Sequence, residues 1–171
     1  MEYTRNSDPE YYNKNRARAN CGSYALRLRE WYDPEEYLEQ LEETYVYDWI
    51  ECMALNGYSD DEITDYYIDI LTEGMLKEFD GELELCDGRP PTTSDKELIA
   101  FNGFCYCDDD YNIDYDFHFK VLRDGMWSEK PGREPVKFCD LEEWGRYTGK
   151  TVYMYHKIDI KGADDEVLQQ L

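Results

Sequence analysis

The sequence predicts an α+β fold with helices first and an antiparallel sheet second. Between residues 35 and 79 apolar side chains recur every three or four positions, the period of an amphipathic helix. After Asp80-Gly81 the pattern turns to alternation in segments rich in aromatic and branched residues, which is how strands read. The two kinds of segment are not interleaved, so helices packed on one side of an antiparallel sheet are expected. At 171 residues, one domain spanning 1–171 with a single core is expected.

Residues 1–19 hold Asn, Asp, Tyr and Arg without a period and read as an irregular arm. Residues 20–79 form the helical part. Asn20 is a good N-cap, and Ala25, Leu26 and Leu28 suit a first helix from Cys21 to Trp31. Asp33-Pro34 closes it and opens the next. Leu38, Leu41, Tyr45, Trp49 and Met53 then make one stripe on a long helix from Glu35 to Leu55, ended by Asn56-Gly57. Ser59 followed by Glu62 has the form of a capping box, and Ile63, Tyr66, Ile70 and Leu71 supply the inward stripe of a third helix reaching about Phe79. Residues 82–160 form the sheet part, with a loop from Gly88 to Asp95 and strands at Leu98 to Cys107, Asp114 to Arg123 and Thr151 to Ile158. Residues 162–171 read as a frayed tail.

The net charge is −22, and its distribution narrows the partners. Residues 1–29 hold 6 basic and 3 acidic side chains, residues 30–90 hold 2 and 20, and residues 91–171 hold 10 and 17. Such an acid belt repels nucleic acid and anionic membrane, so neither is expected as a direct partner, while a protein with a basic surface is. No apolar run approaches the length of a membrane span, and Met1 to Arg5 lacks the apolar segment of a secretory signal, so a cytoplasmic location is expected. The six cysteines are then expected as reduced thiols. A zinc site from Cys105, Cys107, Cys139 and a histidine is disfavoured, because Cys105-Tyr106-Cys107 lacks the usual ligand spacing; no metal or other cofactor is expected.

Two residues carry the site expectation. A cysteine in the first turn of a helix has backbone N–H groups and the positive end of the dipole near its sulfur, which favours thiolate. Cys21 has that placement, with Arg16 and Arg18 just upstream; the alternative is a buried structural thiol. On the second predicted strand Tyr115, Phe117, Phe119 and Val121 share one face and Asp116, His118 and Lys120 the other. The aromatic face should turn inward, directing His118 to solvent or a groove, as a general base requires. His156 alternates with Met154 on an apolar face and reads as a core histidine.

This arrangement resembles the papain-like cysteine hydrolases, in which a nucleophile opens a helix and a later antiparallel sheet bears histidine and a polar orienting residue. It is more closely similar to a group of bacterial and phage proteins with an Asn-Cys-x-x-Tyr-Ala-Leu segment and a later Asp-x-His-Phe and Trp-Ser-x-Lys-Pro-Gly. Here these stand as Asn20-Cys21-Gly22-Ser23-Tyr24-Ala25-Leu26, Asp116-Phe117-His118-Phe119 and Gly125-Met126-Trp127-Ser128-Glu129-Lys130-Pro131-Gly132, followed by Pro135-Val136. Glu129 stands where that group usually has histidine, and Tyr24 stands where the papain Cys-Gly-Ser-Cys-Trp motif has its nucleophile. The resemblance implies Cys21 as nucleophile and His118 as base, with the third role open between Ser128, Glu129 and none. It also implies that Asn15, six residues before Cys21, supplies an oxyanion-stabilising amide. The substrate would be an amide or another acyl compound.

A different class of function competes with this one. A small acidic protein, phage-type or host-type, could dock a basic protein surface or mimic nucleic-acid phosphates and inhibit its partner without chemistry. Self-association through the tyrosine-rich surface ranks third.

Overall fold

The computed structural model describes residues 2–88, 96–157 and 167–169. The first strand, β1 (Glu2–Thr4), leads into a short helix α1 (Tyr11–Lys14). The arm expected to be irregular thus holds two regular elements and packs on the body: Arg5, Asn6, Tyr11 and Tyr12 are buried, and β1 pairs antiparallel with β8 (Val167–Gln169). Local period could not reveal this, because the order comes from contacts with distant segments such as Arg5 to the Leu26 carbonyl at 2.8 Å. Within the expected tail, 167–169 form that strand; the other tail residues and Ile158 lie outside the described residues.

Capping sets the next helix starts. In α2 (Cys21–Leu26) the Asn20 side chain accepts from the Ser23 N–H at 3.0 Å, and the Ser23 hydroxyl returns to the Asn20 N–H. The helix stops earlier than expected because Arg27 turns left-handed, φ 57°. Asp33 caps α3 (Pro34–Glu42), whose N1 proline suits a helix start. The single long helix expected over 35–55 is instead two, α3 and α4 (Val46–Leu55), broken at Glu43 with φ 54°. The break lets Leu38 bury in one helix and Val46 and Ile50 in the other, leaving Leu41 and Tyr45 exposed. Burying those three aliphatic side chains is worth roughly 1.5–3 kcal/mol each, more than one left-handed residue costs.

Ser59 and Glu62 form the expected capping box of α5 (Asp60–Glu78). Its buried face is Ile63, Tyr67, Ile68, Leu71 and Met75, rotated from the expected stripe so that Tyr66 lies outside. α5 lies across β3 (Glu97–Cys107), where Thr64 bonds the Cys105 backbone at both its carbonyl and its N–H.

The sheet also contains β2 (Leu83–Leu85), β4 (Ile113–Arg123), β5 (Met126–Glu129), β6 (Lys137–Phe138) and β7 (Val152–His156). Its order is β2-β7-β3-β4-β5-β6, with every pairing antiparallel. The expected α+β class is thus observed. Tyr32, Phe79, Phe101 and Phe119 meet at centroid separations of 4.8–6.4 Å between helices and sheet. Among the described residues no helix is long and apolar enough to cross a membrane.

Candidate active site

The site lies where β5 runs out. The β4–β5 pairing ends at Val121 opposite Ser128, and beside the stretch of β4 beyond it the tip of α2 brings Cys21 to the same groove as His118, near enough to shift the charge on the ring. The close approach needs Gly22, since a Cβ there would stand 2.8 Å from the Tyr32 ring and 3.1 Å from Phe119. Asn20 holds the turn rigidly: its amide donates to the Tyr32 carbonyl at 2.7 Å and its oxygen accepts from the Tyr32 N–H at 3.2 Å. Cys21 is only 5 % exposed and His118 5 %, so contacts between them are shielded from bulk water.

Strand alternation decides the third partner. Leu122 faces Trp127 across the ladder, so His118 and Lys120 share a face with Glu129, while Ser128 points to the other. Glu129 Oε1 lies 2.8 Å from His118 Nε2, and the Cys139 thiol stands beside Glu129 as well. Ser128 instead meets the Tyr24 hydroxyl at 2.6 Å, on the helix side of the sheet. Asn15 is likewise apart: it ends α1, its amide donates to the Tyr11 carbonyl at 3.0 Å, and it does not line the groove. Three of the five candidates therefore meet and two do not.

The electrostatics follow from these contacts. Burial opposes charge on His118, but hydrogen bonds to Cys21 and Glu129 and the charges of both groups outweigh it, raising the ring to about 9. Burial also opposes the Glu129 carboxylate, yet His118 holds it below the usual range. The Cys139 thiol, half-buried and beside that carboxylate, is pushed up to about 12.

Two lysines not singled out in the sequence build the surroundings. Lys130 is fully buried and its ammonium donates to the carbonyls of Arg16 and Gly132, both at 2.5 Å, and of Ala19. It thereby ties the segment before Cys21 to the turn after Glu129, and burial pushes it down to about 8. Lys120 donates to the carbonyls of Asp140 and Glu143 at 2.6 Å and lies 4.4 Å from the Trp144 ring centroid. The loop so pinned stacks Tyr147 on His118 with centroids 5.2 Å apart and sets Trp144 at its edge. The expectation that His118 reaches a groove is met under an aromatic cover. The only advance signal for either lysine was its place in a motif or on the His118 face.

Cys21, His118 and Glu129 open into a groove of about 560 Å³, within the usual range for small-molecule sites. A larger hollow of about 680 Å³ between α4 and α5 is lined by Cys52 but by no histidine, so it lacks a base beside its thiol. Cys105 and Cys139 do not converge: the first is buried under α5, the second lies beside Glu129, and no metal-holding cluster occurs among the described residues. Comparisons with protein-family models, with curated proteins and with solved structures find no match to this chain.

Proposed function

We propose that the chain is a papain-like thiol hydrolase acting on an amide or another acyl bond, with Cys21 as nucleophile, His118 as acid and base, and Glu129 as the residue that orients the ring. The observation that carries the reading is the gathering of Cys21 and Glu129 about His118 in one groove, with Glu129 hydrogen-bonded to the ring. With Nε2 engaged by Glu129, Nδ1 is the nitrogen left to exchange a proton with sulfur. In the first half-reaction the thiolate attacks the carbonyl carbon and the imidazolium protonates the leaving group as its bond breaks. The resulting thioester is cleaved by water, whose proton goes to the now neutral ring. In the first turn of α2 the Ser23 N–H is taken by the Asn20 side chain, while the backbone N–H groups of Cys21 and Gly22 lack helical partners and suit a developing oxyanion.

The test is alkylation by iodoacetamide near neutral pH, read cysteine by cysteine by mass spectrometry. Cys21 should react faster than exposed Cys52 despite its burial, and His118→Ala should slow it by about 10²-fold. Slow, equal labelling of all six thiols would count decisively against a thiol hydrolase.

The exposed acidic face of α5, with Asp61 and Asp65, favours a second reading: an acidic inhibitor-type protein that docks a basic protein surface. Its binding should weaken with salt and survive Cys21→Ala. Binding indifferent to both salt and Asp65→Lys would remove it.

A further inference from the structure

The groove beside Cys21 has a sign. Setting aside the paired His118 and Glu129, it is lined by five carboxylates, Asp33, Glu35, Asp116, Glu134 and Glu143, against two cations, Lys137 and Arg146. Arg146 is already committed, bonding Asp116 at 2.5 Å. On the wall formed by the start of α3, Asp33 accepts the Glu35 N–H at 2.9 Å and Glu35 accepts the Tyr67 hydroxyl at 2.9 Å. Among the described residues neither carboxylate has an ion-pair partner. Burial, with the charges of Asp33, Glu39 and Asp116 added, pushes Glu35 up to about 7, so this wall is held against its own repulsion. Trp31 stands half-exposed on the same groove, which Trp144 and Tyr147 also line. Carboxylates among aromatic faces make a receptor for an organic cation, which gains Coulomb attraction and a π face together.

We infer that the Asp33–Glu35–Trp31 wall is a substrate subsite for a cation, so that the acyl compound attacked by Cys21 carries an ammonium or guanidinium group close to the scissile bond. The inference rests on the thiol-hydrolase reading and assigns its substrate class. A lysine or arginine side chain next to the scissile amide fits; an acidic substrate meets uncompensated repulsion.

Charged thiol reagents test this without a known substrate. Cys21 is treated in parallel with trimethylammonioethyl and sulfonatoethyl methanethiosulfonate. In each case the thiolate attacks the sulfenyl sulfur, a mixed disulfide forms and methanesulfinate leaves with the bonding pair. The cationic reagent should modify Cys21 at least about tenfold faster than the anionic one. That ratio should fall about threefold or more in Asp33→Asn/Glu35→Gln, which keeps both hydrogen bonds, and should hold in Asp61→Asn/Asp65→Asn, which removes at least as much charge from the remote belt. A ratio near one, or one lowered equally by both double variants, overturns the subsite while leaving the nucleophile in place. Failure of neutral iodoacetamide to single out Cys21 overturns the hydrolase reading first, and the subsite with it.

Discussion

The molecule contains two buried histidine–glutamate pairs with the same separation, and they differ in everything around it. His118 Nε2 and Glu129 Oε1 are 2.8 Å apart, as are His156 Nε2 and Glu82 Oε1. At the β2–β7 end, Glu82 also binds Arg5 at 2.5 Å, and His156 Nδ1 has no hydrogen-bond partner among the described residues, the Glu97 carboxylate being 3.8 Å away. Burial opposes charge on Glu97, but His156, Arg123 and Arg27 hold its carboxyl well below the usual range. That end is a closed knot of charges joining β1, the sheet and α2. At the β4–β5 end the free side of the histidine meets a thiol and a groove. A His–Glu pair alone therefore says nothing of chemistry; what the second ring nitrogen meets, and whether a substrate can reach it, separates a structural pair from a candidate catalytic one.

The contrast can be broken by experiment. Glu82→Ala strands Arg5 and His156 in the core and should cost roughly 3–5 kcal/mol in denaturant unfolding, whereas Glu129→Ala, at the groove edge, should cost well under half of that. Equal losses would make both ends structural.

A smaller effect lies in pH. The His118 ring titrates higher in the folded chain, at about 9, than in the unfolded one, near 6.5. Its contribution is therefore complete below about pH 6.5 and is lost as pH rises through about 9, a fall of roughly 1–3 kcal/mol. The stability difference between the natural chain and His118→Gln, followed by denaturation from pH 6 to 10, isolates it from Glu35 and Lys130, which titrate in the same range. A difference that stays flat would remove the charged ring from the account. The smallest effect tests the orienting partner. Glu129→Gln keeps a hydrogen bond to His118 but not the charge, and should slow iodoacetamide alkylation of Cys21 about threefold, while Glu82→Gln should leave that rate unchanged.

Much of this was open to a reader of the chain. The Asn20 and Ser59 caps, the switch from a period near three and a half to one of two, and the turns at Asn56-Gly57 and Asp80-Gly81 are local signals, and each lies where the structure uses it. The arrangement of Cys21 at a helix tip and His118 on a strand was legible for the same reason: both follow from neighbours a few residues away. Even the choice of Glu129 over Ser128 follows from alternation once the ladder register is known, but the register itself is not written in either strand.

What the sequence alone determined, then, is the α+β order, the starts of α2, α3 and α5 and the side of each strand that residues occupy, because caps and periods act within one turn or one pleat. Tertiary structure decided the rest: the break at Glu43, the turn of α5 about its axis, the ordering of residues 2–19, the clasp of Lys130 and the aromatic cover over His118. Each of those depends on which of several available faces buries more apolar surface against a partner distant in the chain, and that sum exists only after the chain has closed on itself.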